Sequence, residues 1–316
     1  MELIHIKGDT WAFRDWQLIP FYKLDDHRCV FLDTGMADQM DALDAALTEH
    51  GLVPAGIIGS HAHIDHMGSH ARFREKYGAV LALSLGEAAL LASPLGLNYQ
   101  YHDFTTDEVA SDPLLGPPIC LADRIILPHE DEIELCGARF GIVHTPGHTL
   151  DHICVRTPDG VLYLADAMMT GRTLYRSKFP YAFSMKLYIG SMTKLRGERA
   201  DLYVVAHDGV YRSILPLIDL EIRFLQGRMR EILDLVTDTV RTPEDLAAAI
   251  CAAYRIHPRD HMDLSYFVRA SQAYLVYLRE LGLVEFALAD ARGWYRRTAQ
   301  SFEERAVELP EPGRFR

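Results

Sequence analysis

His61-Ala62-His63-Ile64-Asp65-His66 packs three imidazoles and a carboxylate into six positions, and its flanks say where it sits. Ahead of it, Ala55-Gly56-Ile57-Ile58-Gly59-Ser60 reads as a short buried strand; after it, Ser69 to Tyr77 reads as a helix. In an extended segment alternate side chains point the same way, so His61 and His63 can face one ion together. Asp65 and His66 then fall at the turn into the helix, aimed at a second point nearby. Neutral imidazoles with one hard carboxylate suit Zn²⁺, and Fe or Mn can use the same donors. A surface histidine cluster is the bland alternative, and it leaves the embedded Asp unexplained.

Outward from that stretch, the 316-residue chain has room for one large domain or two ordinary ones. At 49% hydrophobic and 24% charged its composition is that of a globular protein. The net charge of −12 argues against a general nucleic-acid or anionic-membrane surface. Met1-Glu2-Leu3-Ile4-His5-Ile6-Lys7 has neither a basic nor an apolar leader region, and no run of apolar residues reaches membrane-spanning length. A cytoplasmic protein with no membrane role is the expectation. Cys29, Cys120, Cys136, Cys154 and Cys251 are scattered and form no C-x-x-C pair, as expected of reduced cysteines.

Val30-Phe31-Leu32 reads as a strand closed by Asp33-Thr34-Gly35, Asp38 to His50 as an amphipathic helix, and Ala79 to Leu83 as another strand. Residues 94 to 119 carry four prolines without clear period and read as an insertion or lid, partly helical around Thr106 to Ala110. Five strands are then expected, over Arg124–Leu127, Glu132–Leu135, Arg139–Val143, His152–Thr157 and Val161–Ala165. From about Ile214 the pattern turns helical. Helices are expected over Ile218–Val236, after Thr242-Pro243, and over Asp263–Leu281, followed by a hairpin from Leu283 to Arg297. That is the outline of a winged helix. The division expected is therefore 1–212 and 213–316, with a loose tail over Glu308–Arg316.

Further ligands must come from downstream. His148 follows the strand ending at Val143, Asp166 ends Val161-Leu162-Tyr163-Leu164-Ala165, and His207 ends Leu202-Tyr203-Val204-Val205-Ala206. A bare carboxylate at a buried strand end is costly unless it is paired or on a metal. With the hexapeptide these make a coherent set of seven ligands.

In this order the motifs resemble the metallo-β-lactamase fold superfamily, whose hallmark is His-x-His-x-Asp-His followed by single His, Asp and His ligands. Asp33-Thr34-Gly35 is similar to that family's first motif, and the likeness covers about residues 1 to 210. It implies an α/β (α+β) protein, an αββα sandwich with metals at one edge, here followed by a mainly helical, winged-helix-like domain. Carried over, His61, His63 and His148 hold one metal, Asp65, His66 and His207 a second, and Asp166 bridges. Two zinc ions are implied. Ala165 stands where Gly often precedes the bridging Asp, and Ala206-His207-Asp208-Gly209 replaces a usual Gly-His-Gly. His63 favours the zinc hydrolase branch, because the flavodiiron branch has Glu there.

The chemistry implied is metal-assisted hydrolysis of an ester, thioester, lactone, amide or phosphodiester. Asp65 can ligate and also orient the attacking water, so no Ser or Cys nucleophile is needed. His152, four residues after His148, is taken with Asp65 as a catalytic candidate: it either faces substrate and donates to an oxyanion or starts a strand and bonds backbone. Arg172, Tyr175, Arg176 and Tyr181 belong to a basic, aromatic stretch after Asp166, suited to a substrate carboxylate or phosphate or, for the tyrosines, a carbonyl oxygen. A solvated loop and helix face explains that stretch equally.

A small anionic ester, thioester or lactone is therefore the expected substrate. The first alternative is a phosphodiesterase or endoribonuclease, since a branch with a similar Pro-Gly-His-Thr-x-Asp-His stretch and C-terminal domain cleaves single-stranded RNA. Against it, Ile214 to Gln300 holds twelve acidic and eleven basic residues, no basic excess for a nucleic acid. An iron-dependent, persulfide-dioxygenase-like enzyme is the second alternative. A homodimer is left open.

Overall fold

Alternating apolar residues build two facing sheets, described in a computed structural model over residues 1–100, 104–237, 242–289 and 291–302. The first sheet has seven strands in chain order: β1 (Glu2–Lys7), β2 (Thr10–Arg14), β3 (Leu18–Lys23), β4 (Arg28–Leu32), β5 (Val53–Ile58), β6 (Val80–Ser84) and β7 (Arg124–Ile126). It begins as an antiparallel meander and becomes parallel from β4 onward. The second sheet takes β8 (Glu132–Leu135), β9 (Ala138–His144), β10 (Ile153–Arg156), β11 (Val161–Ala165), β12 (Leu202–Val205) and β13 (Gly209–Tyr211), with β11 and β12 parallel.

Between the sheets lies one apolar cluster. Val30, Leu32 and Ile58 enter it from the first sheet, and Phe140, Ile142, Ile153, Val155, Val161 and Tyr163 from the second. The period of two is what a strand requires. Phe31, on the opposite face of β4, stacks with Phe21 at 5.2 Å and meets Phe73 of a helix edge-on at 5.2 Å. The outer face of the first sheet is therefore covered by helices, α3 (His70–Tyr77) and α4 (Leu85–Leu91) packing on it, and the same part of the chain carries α1 (Met40–Glu49), α2 (Ile64–Met67), α5 (Pro94–Gln100) and α6 (Thr106–Ser111). The stretch after residue 94 is thus partly helical, and Thr105 caps α6 through a reciprocal bond with Glu108.

Packing divides the chain into two units. One comprises Met1–Met168 with Arg199–Ile214; the other comprises Met169–Glu198 and the chain from Leu215. Met169–Glu198 groups with the helical unit although it lies between β11 and β12 in the chain. Within that unit are α7 (Gly171–Ser177), α8 (Met185–Leu195), α9 (Leu215–Leu235), α10 (Pro243–Tyr254), α11 (His261–Glu280) and the hairpin β14 (Val284–Ala289) and β15 (Arg292–Arg297). Buried Glu221 of α9 holds the inserted segment by accepting from Met169 N and the Tyr188 hydroxyl, both at 2.7 Å. Thr242 caps α10 with Pro243 in its first turn. Three helices and a hairpin thus follow in the order read from the sequence. The tail over Glu308–Arg316 lies outside the described residues. Among the described residues no helix is long and apolar enough to cross a membrane, and none of the five cysteines is in a disulfide.

Candidate metal centre

Strand ends bring the seven expected donors to one edge of the sandwich. His61 follows β5, with His63 capping α2 and Asp65 and His66 inside it. His148 sits in the loop between β9 and β10, Asp166 directly after β11, and His207 two residues after β12. The donor atoms fall into two overlapping groups: His61, His63, His148 and Asp166, and Asp65, His66, Asp166 and His207. Asp166 belongs to both, as a bridging ligand must.

The spacing fits metal ions. Zinc–ligand bonds of about 2.1 Å in a tetrahedron put neighbouring donors about 3.4 Å apart. In the first group His63 Nδ1 lies 3.0 Å from His148 Nε2, which lies 3.4 Å from Asp166. In the second, His207 Nε2 is 3.2 Å from Asp65 and 3.3 Å from Asp166, and His66 Nε2 is 3.6 Å from both carboxylates. His61 Nε2 and His66 Nε2 are buried and make no hydrogen bond. Buried polar atoms are normally satisfied, and a cation is what these lone pairs lack.

Outer partners fix the tautomers. Asp33, in the left-handed region at φ 64°, accepts from Ser60 N (2.6 Å), Ser60 Oγ (2.6 Å), His66 Nδ1 (2.8 Å) and the Tyr163 hydroxyl (2.7 Å). His66 therefore carries its proton on Nδ1 and turns Nε2 toward the donors. Because the Ser60 hydroxyl is spent on Asp33, it accepts from His61 Nδ1 at 2.9 Å, with the same result for His61. Asp33, His61 and His66 also approach one another closely, but the four bonds to Asp33 make it an anchor rather than a ligand. The neighbouring backbone is knitted to α2 by Thr34 N to His66 O (2.7 Å) and Gly68 N to Gly35 O (2.6 Å). A side chain at Gly68 would strike Ala37 N at 2.1 Å, so glycine is required there.

Three further positioning residues escaped the sequence reading. Glu87 of α4, fully buried, accepts from Ala62 N (2.7 Å), the Thr149 hydroxyl (2.7 Å) and Asp151 N (2.8 Å). Gln17 donates to Asp65 O at 2.6 Å. Trp16, half exposed, stacks on His207 with ring centres 5.4 Å apart and planes 11° from parallel. The one available signal was Glu87's place on the buried face of α4 beside Ala88, Leu90 and Leu91.

Electrostatics separate the two groups. Burial drives His61 and His63 well below the ordinary histidine pKa, with the neighbouring imidazoles adding to it. His66 and His207 go the other way: burial opposes their charge, but Asp65 and Asp166 overcome it, raising His66 well above its ordinary value and His207 to about 10. Against burial, the same histidines hold Asp65 and Asp166 below the usual carboxylate range.

His152 is fully buried; its Nδ1 donates to Thr145 Oγ1 at 2.8 Å and its Nε2 accepts from Asp166 N at 3.3 Å. A ring with both nitrogens engaged does not donate to a substrate oxyanion, so the catalytic reading of His152 gives way to the positioning of Asp166. Arg172, Tyr175 and Arg176 are exposed on α7 of the helical unit. Tyr181 is 9% exposed, packed on Tyr266 with Arg269 over its ring. Ala165 lies at φ 45°, a left-handed conformation that explains why glycine is common just before such an Asp.

The Metallo-beta-lactamase superfamily matches residues 21–207. The chain therefore belongs to that superfamily. It is similar to a hydroxyacylglutathione hydrolase of Klebsiella pneumoniae, 28% identical over 54% of this chain and 53% of that protein. The chain thus spans about half the length of that relative. Among solved structures it resembles a beta-lactamase domain protein from Burkholderia ambifaria (TM-score 0.69, 15% identity, 94% of each chain). A metallo-beta-lactamase family protein from Thermus thermophilus also matches (TM-score 0.66, 20% identity, 89% of this chain and 94% of that one). At these identities the structures speak for the fold alone.

Proposed function

We propose that this chain is a cytoplasmic, binuclear zinc hydrolase acting on a small anionic thioester, with esters and lactones as chemically related substrates. The observation that carries the reading is the pair of donor groups sharing Asp166 at tetrahedral spacing. Ions held there supply Lewis acidity that acidifies water and polarises a carbonyl oxygen. Of the two carboxylates Asp65 is the more open, its side chain 24% exposed against 10% for Asp166, so it is the one to meet the attacking water and take its proton.

The leaving group favours a thioester. A thiol of pKa about 8.5 departs as thiolate without help, whereas an amine or alkoxide needs a proton donor. His152 has both nitrogens engaged and cannot serve as that acid. Similarity to a protein named hydroxyacylglutathione hydrolase supports the same class. Trp16 beside His207 offers an apolar wall for the acyl part. An anionic substrate is proposed from the same similarity, because glutathione carries carboxylates.

The test is a panel of glutathione thioesters, acyl lactones and single-stranded RNA with the purified protein. Thioester cleavage that vanishes in Asp65→Ala is expected. RNA cleavage that survives purification and needs Asp65 points instead to the ribonuclease alternative, and bound iron with oxygen uptake on a persulfide to the dioxygenase.

A further inference from the structure

Glu87 bonds to the chain beside three of the seven donors. Ala62 lies between His61 and His63; Thr149 follows His148, and Asp151 is two residues further on. These two loops come from different sheets, one after β5 and the other between β9 and β10. A backbone bond from Ile153 N to Ser60 O (3.0 Å) joins them behind the ligands. Glu87 joins them at the ligands, with Oε2 on Ala62 N and Oε1 on Thr149 Oγ1 and Asp151 N.

We propose that Glu87 is the positioning residue of the first donor group, setting the distance between the His61–His63 segment and the His148 loop. The inference rests on reading the cluster as a metal centre. Burying a carboxylate without a cation is expensive, and three donors at 2.7–2.8 Å are what make it tolerable. The two backbone N–H groups need an acceptor on each oxygen of Glu87, one for each loop. The site has little tolerance for error: with neighbouring donors 3.0 to 3.4 Å apart, a loop displacement of about 1 Å takes a histidine out of coordination range.

The second donor group is served by other anchors, Asp33 for His66 and Gln17 for the carbonyl of Asp65. Glu87 should therefore act on one ion and not on the other. Glu87→Gln is the discriminating variant because it keeps the shape. Its amide has one acceptor and one donor end. Turned one way the NH₂ faces Ala62 N–H; turned the other it faces Asp151 N–H. Either way one loop is released.

The experiment is a zinc titration of the full chain against a chromophoric chelator, yielding two stepwise affinities, with thermal melting to confirm folding. The constant lost in His148→Ala identifies the first group. Glu87→Gln is expected to weaken that constant by about 10- to 100-fold, the range for lost outer partners of a metal site, and to leave the other unchanged. Thr149→Val, which removes one hydroxyl, is expected to weaken the same constant less. Two unchanged constants in Glu87→Gln overturn the proposal, and so does an equal fall in both, which marks a merely structural residue. Should Glu87→Gln fail to fold, unchanged constants in Thr149→Val overturn it. Wild-type protein that takes up no zinc overturns the metal-centre reading itself, a result distinct from all of these.

Discussion

The two donor groups share Asp166 but are built by opposite means. In the first, His61, His63 and His148 sit on loops tied through backbone by Glu87, and burial keeps His61 and His63 neutral. In the second, His66 is gripped by its own side chain on Asp33, and His66 and His207 are raised by two carboxylates. The first is therefore ready for a cation at neutral pH, whereas the second exchanges protons for one. A single cluster thus contains one site dominated by positioning and one dominated by charge.

The largest effect that can break this comparison falls on the shared residue. Asp166→Ala is expected to abolish hydrolysis and empty both positions, read as metal content per chain; content near wild type would refute the bridging role. Next comes Asp33→Asn, which places an amide NH₂ among four donors that need acceptors. It should cost about 3 kcal/mol of stability, seen in thermal or denaturant unfolding, and weaken binding of the second ion more than of the first, because His66 bonds Asp33 directly and His61 only through Ser60. Equal loss of both ions would mean the groups are not separately held.

Smaller, and sharper as a comparison, is the pH dependence. Cations bind deprotonated ligands, so second-group affinity should climb with pH from about 6.5 toward 10, the interval over which His207 retains its proton in the metal-free fold. First-group affinity should be nearly flat above about 6.5, since His61 and His63 are already neutral there. Without metal the sign reverses: His207's raised pKa adds stability that is complete below about 6.5 and disappears as pH passes through about 10. Metal content after dialysis at about pH 8 and about pH 6 checks the first statement, and melting of the metal-free chain checks the second. The smallest effect is expected of Ala165→Gly. Relief of the left-handed backbone, about 1 kcal/mol, is offset by the buried methyl, about 0.8 kcal/mol, so the melting temperature should barely move.

What was legible in the sequence follows the same division. The donors are chemically conspicuous residue types at strand ends, and all seven converge as spacing and family likeness imply. The strands from Val30 to Ala165 were readable because their apolar residues alternate or run continuously. The N-terminal meander was not: β1 is half exposed at a sheet edge, and Pro20 interrupts β3. Gln17 and Trp16 were invisible, and Glu87 showed only as a charge on an apolar helix face, because their partners are backbone groups, a hydroxyl or a ring far away in the chain. The two open readings of His152 have the same origin. Sequence puts a histidine near the donors, but only geometry shows that Asp166 N already occupies its Nε2. The grouping of Met169–Glu198 with the helices depends on buried Glu221, which no local pattern announces.

The central claim is that two ions are held at one edge of the sandwich. Elemental analysis of the purified, untreated protein by plasma mass spectrometry tests it most directly. Two zinc ions per chain are predicted; a single metal, or iron in place of zinc, would contradict the binuclear zinc centre and the hydrolase reading built on it.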